Sequence, residues 1–171
     1  IKNHIYLEMS VLVFLTLILM SKKALFPGSF DPFTKGHEFI IAQCLDLFDE
    51  ITIGIGVNTD KKYQFNLEKR IAHIEHLYSG NKKVSIESYQ GLTVDFCKKI
   101  SASHILRGLR NSIDFEYEKS IAQMNRAMSG IETVFIMTEE RLSPINSSIV
   151  RDIHKNNGDI TPFVTHSEKL I

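Results

Sequence analysis

The sequence predicts an α/β fold: a single doubly wound domain built on a five-stranded parallel sheet. Three observations predict it. Five apolar, strand-like runs alternate with five segments of helical period, and that alternation implies parallel strands joined by helices. The clearest strand, Ile51-Thr52-Ile53-Gly54-Ile55-Gly56-Val57, is apolar without strict alternation, the pattern of a strand covered on both faces. The length of 171 residues, 43% of them hydrophobic and 23% charged, suits one domain with a full core.

The first strand is Ala24-Leu25-Phe26. It runs into Pro27-Gly28-Ser29-Phe30-Asp31-Pro32-Phe33-Thr34-Lys35-Gly36-His37, too rich in Gly and Pro for regular structure. A helix then covers 36–47, with Gly36 and His37 at its N-terminus, where unpaired N–H groups and the helix dipole favour an anion. Taken alone, this loop reads equally well as an anion site or as a turn carrying an incidental histidine. Residues 51–57 form the second strand and 58–62 a polar loop beyond it. Asn66 caps a helix that ends near Tyr78 and is closed by Gly80-Asn81; Lys69 at the third position leaves the capping box incomplete. Residues 84–88 alternate as a third strand, and Gly91 precedes a helix over 93–100. His104-Ile105-Leu106 is a short fourth strand, ending in Arg107-Gly108-Leu109-Arg110. A helix over 112–128, a strand over 133–137, a loop over 138–144 and a helix over 146–155 complete the order, with Asn156-Asn157-Gly158 as the stop.

Twenty Lys+Arg balance twenty Asp+Glu, so the formal net charge is zero. That argues against a nucleic-acid or membrane-surface binder, yet leaves room for a local basic pocket. Cys44 and Cys97 fall in apolar-periodic segments and are expected as buried, reduced thiols of a cytoplasmic protein. With no CxxC or Cys/His cluster, no sulfur-held metal is expected. Residues 11–20 form an apolar run broken only by Thr16. It is shorter than the roughly 20 residues of a membrane span, and Ser21-Lys22-Lys23 after it offers no small-residue cleavage site. Residues 1–19 are expected to be an upstream extension, and 20–171 the working domain.

In a parallel sheet of this kind, ligands bind beyond the C-terminal strand ends, near the point where strand order reverses. The chemically distinctive residues all follow strands: Ser29 and His37 the first, Lys61 the second, Arg107 and Arg110 the fourth, Ser147 and Ser148 the fifth. One sheet edge therefore collects three cations, a histidine, hydroxyls and helix N-termini. Such a set suits polyphosphate, with arginine forks for phosphate oxygens and lysine as a point charge. No P-loop and no Ser/His/Asp set is present. Phosphoryl or nucleotidyl transfer, which depends on positioning and charge stabilisation, is the chemistry this set favours.

Gly28-Ser29-Phe30-Asp31-Pro32 with Thr34-Lys35-Gly36-His37 resembles the GxFDPxxxGH signature of the nucleotidyltransferase superfamily, with Thr34 where the HxGH form has its first histidine. Ile145-Asn146-Ser147-Ser148-Ile149-Val150-Arg151 resembles its ISSSxxR signature, with Asn146 replacing the first serine. Arg107-Gly108-Leu109-Arg110 and Asp114-Phe115-Glu116-Tyr117-Glu118 are more specific, and together these segments resemble the phosphopantetheine adenylyltransferase family from about Lys22 to Gly158. The resemblance implies a Rossmann-like nucleotidyltransferase fold over 20–171. It implies transfer of the adenylyl group of ATP to 4′-phosphopantetheine, giving 3′-dephospho-CoA and pyrophosphate, with Mg²⁺ bound mainly through ATP phosphates and no protein metal ligands. His37 is implied as transition-state stabiliser, with Lys61 holding the acceptor phosphate near the nucleophile. Ser29, Phe30, His37, Gly108, Leu109, Arg110 and Glu118 are implied ATP contacts, with Glu118 on the adenosine side. Leu142, Ser143, Pro144, Ile145, Asn146, Ser147 and Ser148 would cover the triphosphate. Ser29, Lys61, Thr93 and Arg107 would bind the acceptor substrate. Relatives form homohexamers, and neither nucleic acid nor membrane is an implied partner.

A cytidylyltransferase or a nicotinamide mononucleotide adenylyltransferase on the same scaffold is the nearest enzymatic alternative; the RGLR and DFEYE segments speak against both. A non-catalytic nucleotide-binding module is the alternative of another class, and the joint presence of His37, Lys61, Arg107 and Arg110 speaks against it. His73, His76, His104, His154 and His166 are expected at the surface or core edge. Phe115, Tyr117, Ile121 and Met124 are expected in the core or at a subunit contact.

Overall fold

The β-branched and apolar runs become strands β1 (Lys23–Gly28), β2 (Glu50–Gly56), β3 (Val84–Tyr89), β4 (His104–Leu109) and β5 (Glu132–Met137) in a computed structural model that describes residues 21–171. Between and after them lie helices α1 (Lys35–Cys44), α2 (Leu67–Leu77), α3 (Thr93–Lys99), α4 (Ser112–Ser129) and α5 (Ser147–Lys155). The expected extension over 1–19 lies outside the described residues. The strands form one parallel sheet in the order β3-β2-β1-β4-β5. Strand order therefore reverses between β1 and β4. There the two strands pair only at Ala24↔His104 and Leu25↔Ile105, whereas β1 pairs with β2 along six residues. The sheet opens at the C-terminal end of this reversal, where doubly wound folds bind ligands.

Successive strand residues face opposite sides. Ala24, Phe26, Ile51, Ile53 and Ile55 pack on Ile40, Ile41 and Cys44 of α1 and Ile74 of α2. Leu25 and Ile105 pack on Val94, Phe96 and Cys97 of α3 across the sheet, and α4 lies beside α3. Gly54 belongs to this second face. A Cβ there would stand 2.6 Å from Leu25 Cδ1, so the glycine lets β1 and α3 close on the sheet. Cys44 and Cys97 are buried free thiols, and burial raises each to a pKa of about 11. A third cluster joins Phe65 and Val150 to Ile160, Val164 and Leu170 of the C-terminal segment.

Asn66 caps α2 as expected, accepting the Lys69 N–H at 2.8 Å. Three expectations need correction and a fourth loses one of its two alternatives. The first helix ends at Cys44 rather than Leu47, because the N–H groups of both Leu47 and Phe48 turn back onto the Cys44 carbonyl. The fourth strand continues through Arg107-Gly108-Leu109, since these residues pair in register with Phe135-Ile136-Met137 of β5. His73 is fully buried, lying 2.7 Å through Nε2 from the Thr165 carbonyl, which can only accept and so fixes the proton on Nε2. Phe115, Tyr117, Ile121 and Met124 are exposed on this chain, so they are no part of its core. Among the described residues no helix is long and apolar enough to cross a membrane.

Candidate active site

The loop between β1 and α1 folds back on itself. Phe30 takes a left-handed backbone (φ 46°), and its ring lies over Gly28, where a Cβ would stand 2.7 Å from it. Phe30 and Phe33 in turn hold the His37 imidazole, each with ring centroids 5.2 Å from it. His37 is the third residue of α1, and its Nδ1 accepts the Thr34 N–H at 2.9 Å. In a capping box a glutamate usually makes this contact. A backbone N–H can only donate, so Nδ1 carries the lone pair and the proton sits on Nε2. The Thr34 hydroxyl, buried, lies 3.0 Å from the same nitrogen. Burial of the ring, then the charges of Arg107 and Arg110, lower the His37 pKa to about 4. His37 is thus a neutral Nε2–H donor at pH 7 in the ligand-free chain. Thr34 and Lys35, which had no role in the sequence, both gain one. Thr34 orients the ring, and Lys35 Nζ ties the loop to the carbonyls of Thr161 and Pro162 at 3.1 and 2.9 Å.

On β4, Arg107 grips Glu118 with a two-pronged fork: Nε to Oε2 at 2.7 Å, and Nη2 to Oε1. Its Nη1 donates to the Pro27 carbonyl at 2.9 Å. Arg110 forms a second fork with Asp114, at 2.8 and 3.1 Å. This contact keeps the Asp114 carboxyl below its usual range despite partial burial. The two arginines are therefore not free cations as the sequence suggested; each brings a carboxylate with it from α4. Lys61 is exposed, and its Nζ lies 3.5 Å from Ser29 Oγ.

Two clefts open side by side above the β1/β4 reversal. The larger, about 570 Å³, is lined by Ser29, Phe30, His37, Arg107, Gly108, Arg110, Glu118, Leu142, Ile145, Asn146 and Ser147 among the anticipated residues. The smaller, about 390 Å³, is lined by Ser29, Lys61, Thr93 and Arg107. Glu118 faces both, so it stands on the wall between them rather than on one side. Ser29 and Arg107 are also shared, which puts their side chains where two ligands would meet. Leu109, Ser143, Pro144 and Ser148 line neither cleft. Leu109 is buried, and its carbonyl accepts the Thr138 N–H. Ser143 Oγ donates to the Arg110 carbonyl at 3.3 Å, and Pro144 lines a separate groove. Ser148 Oγ accepts from Arg151 Nη2 at 2.9 Å. Asn146, in place of the usual serine, caps α5 by accepting the Ser148 N–H at 2.8 Å. Ser147 Oγ donates to the Pro32 carbonyl at 3.0 Å, tying α5 to the first loop.

Sequence reasoning missed a set of supporting residues. Asp31, 1% exposed, accepts the N–H groups of Gln64 and Phe65, both at 2.9 Å. Arg151 donates to the Asp31 carbonyl at 2.6 Å. Arg70, equally buried, donates to the Ser29 carbonyl. The signal for Arg70 was in the sequence: it lies on the apolar face of α2, four residues before Ile74. A charge on a buried stripe calls for a partner.

Comparison with known proteins follows the geometry. The cytidylyltransferase-like family model matches residues 25–153. A phosphopantetheine adenylyltransferase from Flavobacterium psychrophilum is 52% identical over 149 residues, covering 87% of this chain and 99% of that protein. One from Flavobacterium johnsoniae is 56% identical over 149 residues, covering 87% and 98%. Among solved structures, a bifunctional NMN adenylyltransferase/ADP ribose pyrophosphatase from Francisella tularensis superposes with a TM-score of 0.65 at 18% identity, over 88% of this chain and 49% of that one. At that identity the likeness shows a shared fold, and this chain spans about half of the longer protein. The same-named enzyme, solved with AMP and a manganese ion, gives a TM-score of 0.64 at 19% identity, over 88% and 48%. Fold, signature residues and curated relatives agree: the chain belongs to the phosphopantetheine adenylyltransferase family of cytidylyltransferase-like proteins.

Proposed function

We propose that the chain transfers the adenylyl group of ATP to 4′-phosphopantetheine, giving 3′-dephospho-CoA and pyrophosphate, a step of coenzyme A synthesis. The observation that carries this is the pair of adjoining clefts sharing Ser29 and Arg107, one with His37 and the other with Lys61 on its wall. ATP takes the larger cleft and the acceptor the smaller. An oxygen of the acceptor phosphate attacks the α-phosphorus; the bond from that phosphorus to the bridging oxygen breaks, and pyrophosphate leaves. The attacking oxygen is already ionised at pH 7, so no general base is needed. Nε2–H of His37 donates to the charge that grows on the transferring phosphate. Lys61 neutralises the acceptor phosphate beside Ser29, and Thr93 and Arg107 line the path of the pantetheine arm. Gly108, Arg110 and Glu118 border the nucleotide. Leu142, Ile145, Asn146 and Ser147, with the start of α5, cover the triphosphate, where N–H groups and the helix dipole favour the departing anion.

When bound through the ATP phosphates, Mg²⁺ supplies charge neutralisation on the triphosphate. Asp114 and Glu118, the carboxylates lining the larger cleft, are each already held by an arginine, which favours a phosphate-borne ion over one held by the protein. Assembly as a homohexamer belongs to the same proposal, supported by the exposed apolar row on α4. So does a cytoplasmic setting, supported by the two free thiols.

A pyrophosphate-release assay with ATP and Mg²⁺ tests the reaction, with 4′-phosphopantetheine, nicotinamide mononucleotide or phosphocholine as acceptor. Release is expected with 4′-phosphopantetheine alone. Turnover preferring either other acceptor, or CTP over ATP, would overturn it.

A further inference from the structure

The geometry points to Arg70 and Tyr63 as positioning residues for the acceptor-phosphate end of the site: together they hold the Lys61 loop against Ser29. This rests on Lys61 as the acceptor-phosphate contact.

Arg70 is 1% exposed, yet among the described residues no carboxylate lies within ion-pair distance of its guanidinium. It donates instead to main-chain carbonyls of two loops: Nη1 to Ser29 at 2.6 Å and Nε to Phe65 at 3.0 Å. Ser29 belongs to the β1–α1 loop, and Phe65 ends the β2–α2 loop that carries Lys61. Desolvating a guanidinium is costly, and an apolar side chain of similar volume would pack there without that cost. What arginine adds is a planar fork that sets two acceptors at fixed positions. The web of charge is completed by Asp31, whose two carboxylate oxygens take the N–H groups of Gln64 and Phe65 at 2.9 Å. The two loops are thus laced in both directions.

Tyr63 extends the lacing to Lys61 itself. Its ring centroid lies 4.1 Å from the Arg70 guanidinium carbon, a cation–π stack. Its hydroxyl accepts the Asn58 N–H at 3.0 Å and donates to the Gly56 carbonyl at 3.4 Å. Those bonds close the turn over 56–63, and within it the Lys61 N–H donates to the Asn58 carbonyl at 3.2 Å. Lys61 Nζ emerges 3.5 Å from Ser29 Oγ. Arg70 lines neither cleft, and Tyr63 lines only the smaller one. The influence of Arg70 therefore runs through Ser29 and the Lys61 loop, and for Tyr63 a double variant with Lys61→Ala separates action through Lys61 from direct contact in the cleft.

Steady-state kinetics of Arg70→Lys, Tyr63→Phe, Lys61→Ala and the double variant Tyr63→Phe/Lys61→Ala test this. Arg70→Lys keeps the charge and loses the fork; Tyr63→Phe keeps the ring and loses both hydroxyl bonds. Arg70→Lys is expected to raise the acceptor KM about tenfold or more, and Tyr63→Phe several-fold, each leaving the ATP KM within about twofold. In the Lys61→Ala background, Tyr63→Phe is expected to add less than about twofold, the non-additivity of residues acting through one group. Equal rises in both KM values, or an undiminished Tyr63→Phe effect without Lys61, would overturn the proposal and leave the pair as a fold staple. Lys61→Ala with an unchanged acceptor KM would instead overturn the assignment of Lys61, and the inference with it. Tyr63→Phe preserves the half-buried ring, so it decides the matter even where Arg70→Lys fails to fold.

Discussion

His37 occupies the capping-box position that usually holds glutamate or glutamine, and from that follows its chemistry. Its Nδ1 is committed to the Thr34 N–H, so only Nε2–H remains to meet a ligand. Two outcomes are expected at this residue. In the ligand-free protein, nitrogen NMR of the ring will show the Nε2–H tautomer down to about pH 5, with protonation only near pH 4. Unfolded chain takes up that proton near pH 6.5. Stability from this group is therefore fully present above about pH 6.5 and is lost as pH falls toward 4. His73, whose pKa burial also lowers, adds in the same direction, so urea midpoints should fall across that window. Second, His37→Ala should lower kcat by about two to four powers of ten while changing the ATP KM far less, because the donor acts on charge that develops in the transition state. Near-normal turnover would remove His37 from the mechanism. The identity of the residue was readable from its loop, but its protonation state was not. That depends first on burial of the ring and then on the charges of Arg107 and Arg110, brought in from β4 and its end.

Among the elements, α4 has the most to explain. Ile113, Tyr117, Ile121, Met124 and Met128 recur at helical spacing, and all are exposed. Ile113, Tyr117 and Ile121 of this row also line the two clefts, which leaves Met124 and Met128 outside them, while Asp114 and Glu118 on the adjoining face hold Arg110 and Arg107. Met124→Glu with Met128→Glu should lower the molar mass measured by light scattering while leaving the circular dichroism of the fold intact. An unchanged mass would place the assembly interface elsewhere. Element boundaries were legible where local chemistry decides them. Asn66 caps its helix as read, through a side-chain oxygen that the sequence displays, and Asn146, read as the first residue of its helix, is the cap one place before it. The fourth strand was cut short because Arg-Gly resembles the start of a loop. Pairing with β5 across three further residues overrides that preference, and no local pattern announces it. The arginine–carboxylate forks were hidden for the same reason: only Arg110 and Asp114 are near neighbours in sequence, and Arg107 and Glu118 meet across an element boundary.

At the scale of the whole molecule, the site depends on the segment after α5, for which the sequence offered no element. Ile160, Val164 and Leu170 are each 1% exposed. Burying such side chains contributes about 1.5–3 kcal/mol apiece, a sum comparable with the whole stability of a typical domain. The same segment receives the Lys35 ammonium, and the Phe163 carbonyl accepts the Lys35 N–H at 3.0 Å, two residues before His37. A chain truncated after Gly158 should lose its cooperative melting transition, read by calorimetry. A sharp transition near that of the full chain would show the segment to be dispensable.

The wall between the clefts has a last consequence, in the currency of linkage. Arg107 and Glu118 form one electrically balanced pair that both clefts touch. An anion entering either side competes with Glu118 for the guanidinium, and so changes the field that the second ligand meets. Whatever factor one substrate exerts on the affinity of the other must be returned unchanged in the opposite direction. Calorimetric titration of ATP with and without dephosphorylated pantetheine, and of 4′-phosphopantetheine with and without a non-hydrolysable ATP analogue, should show coupling only when both ligands are anionic. Coupling of equal size with the uncharged ligand would trace the communication to packing rather than to charge.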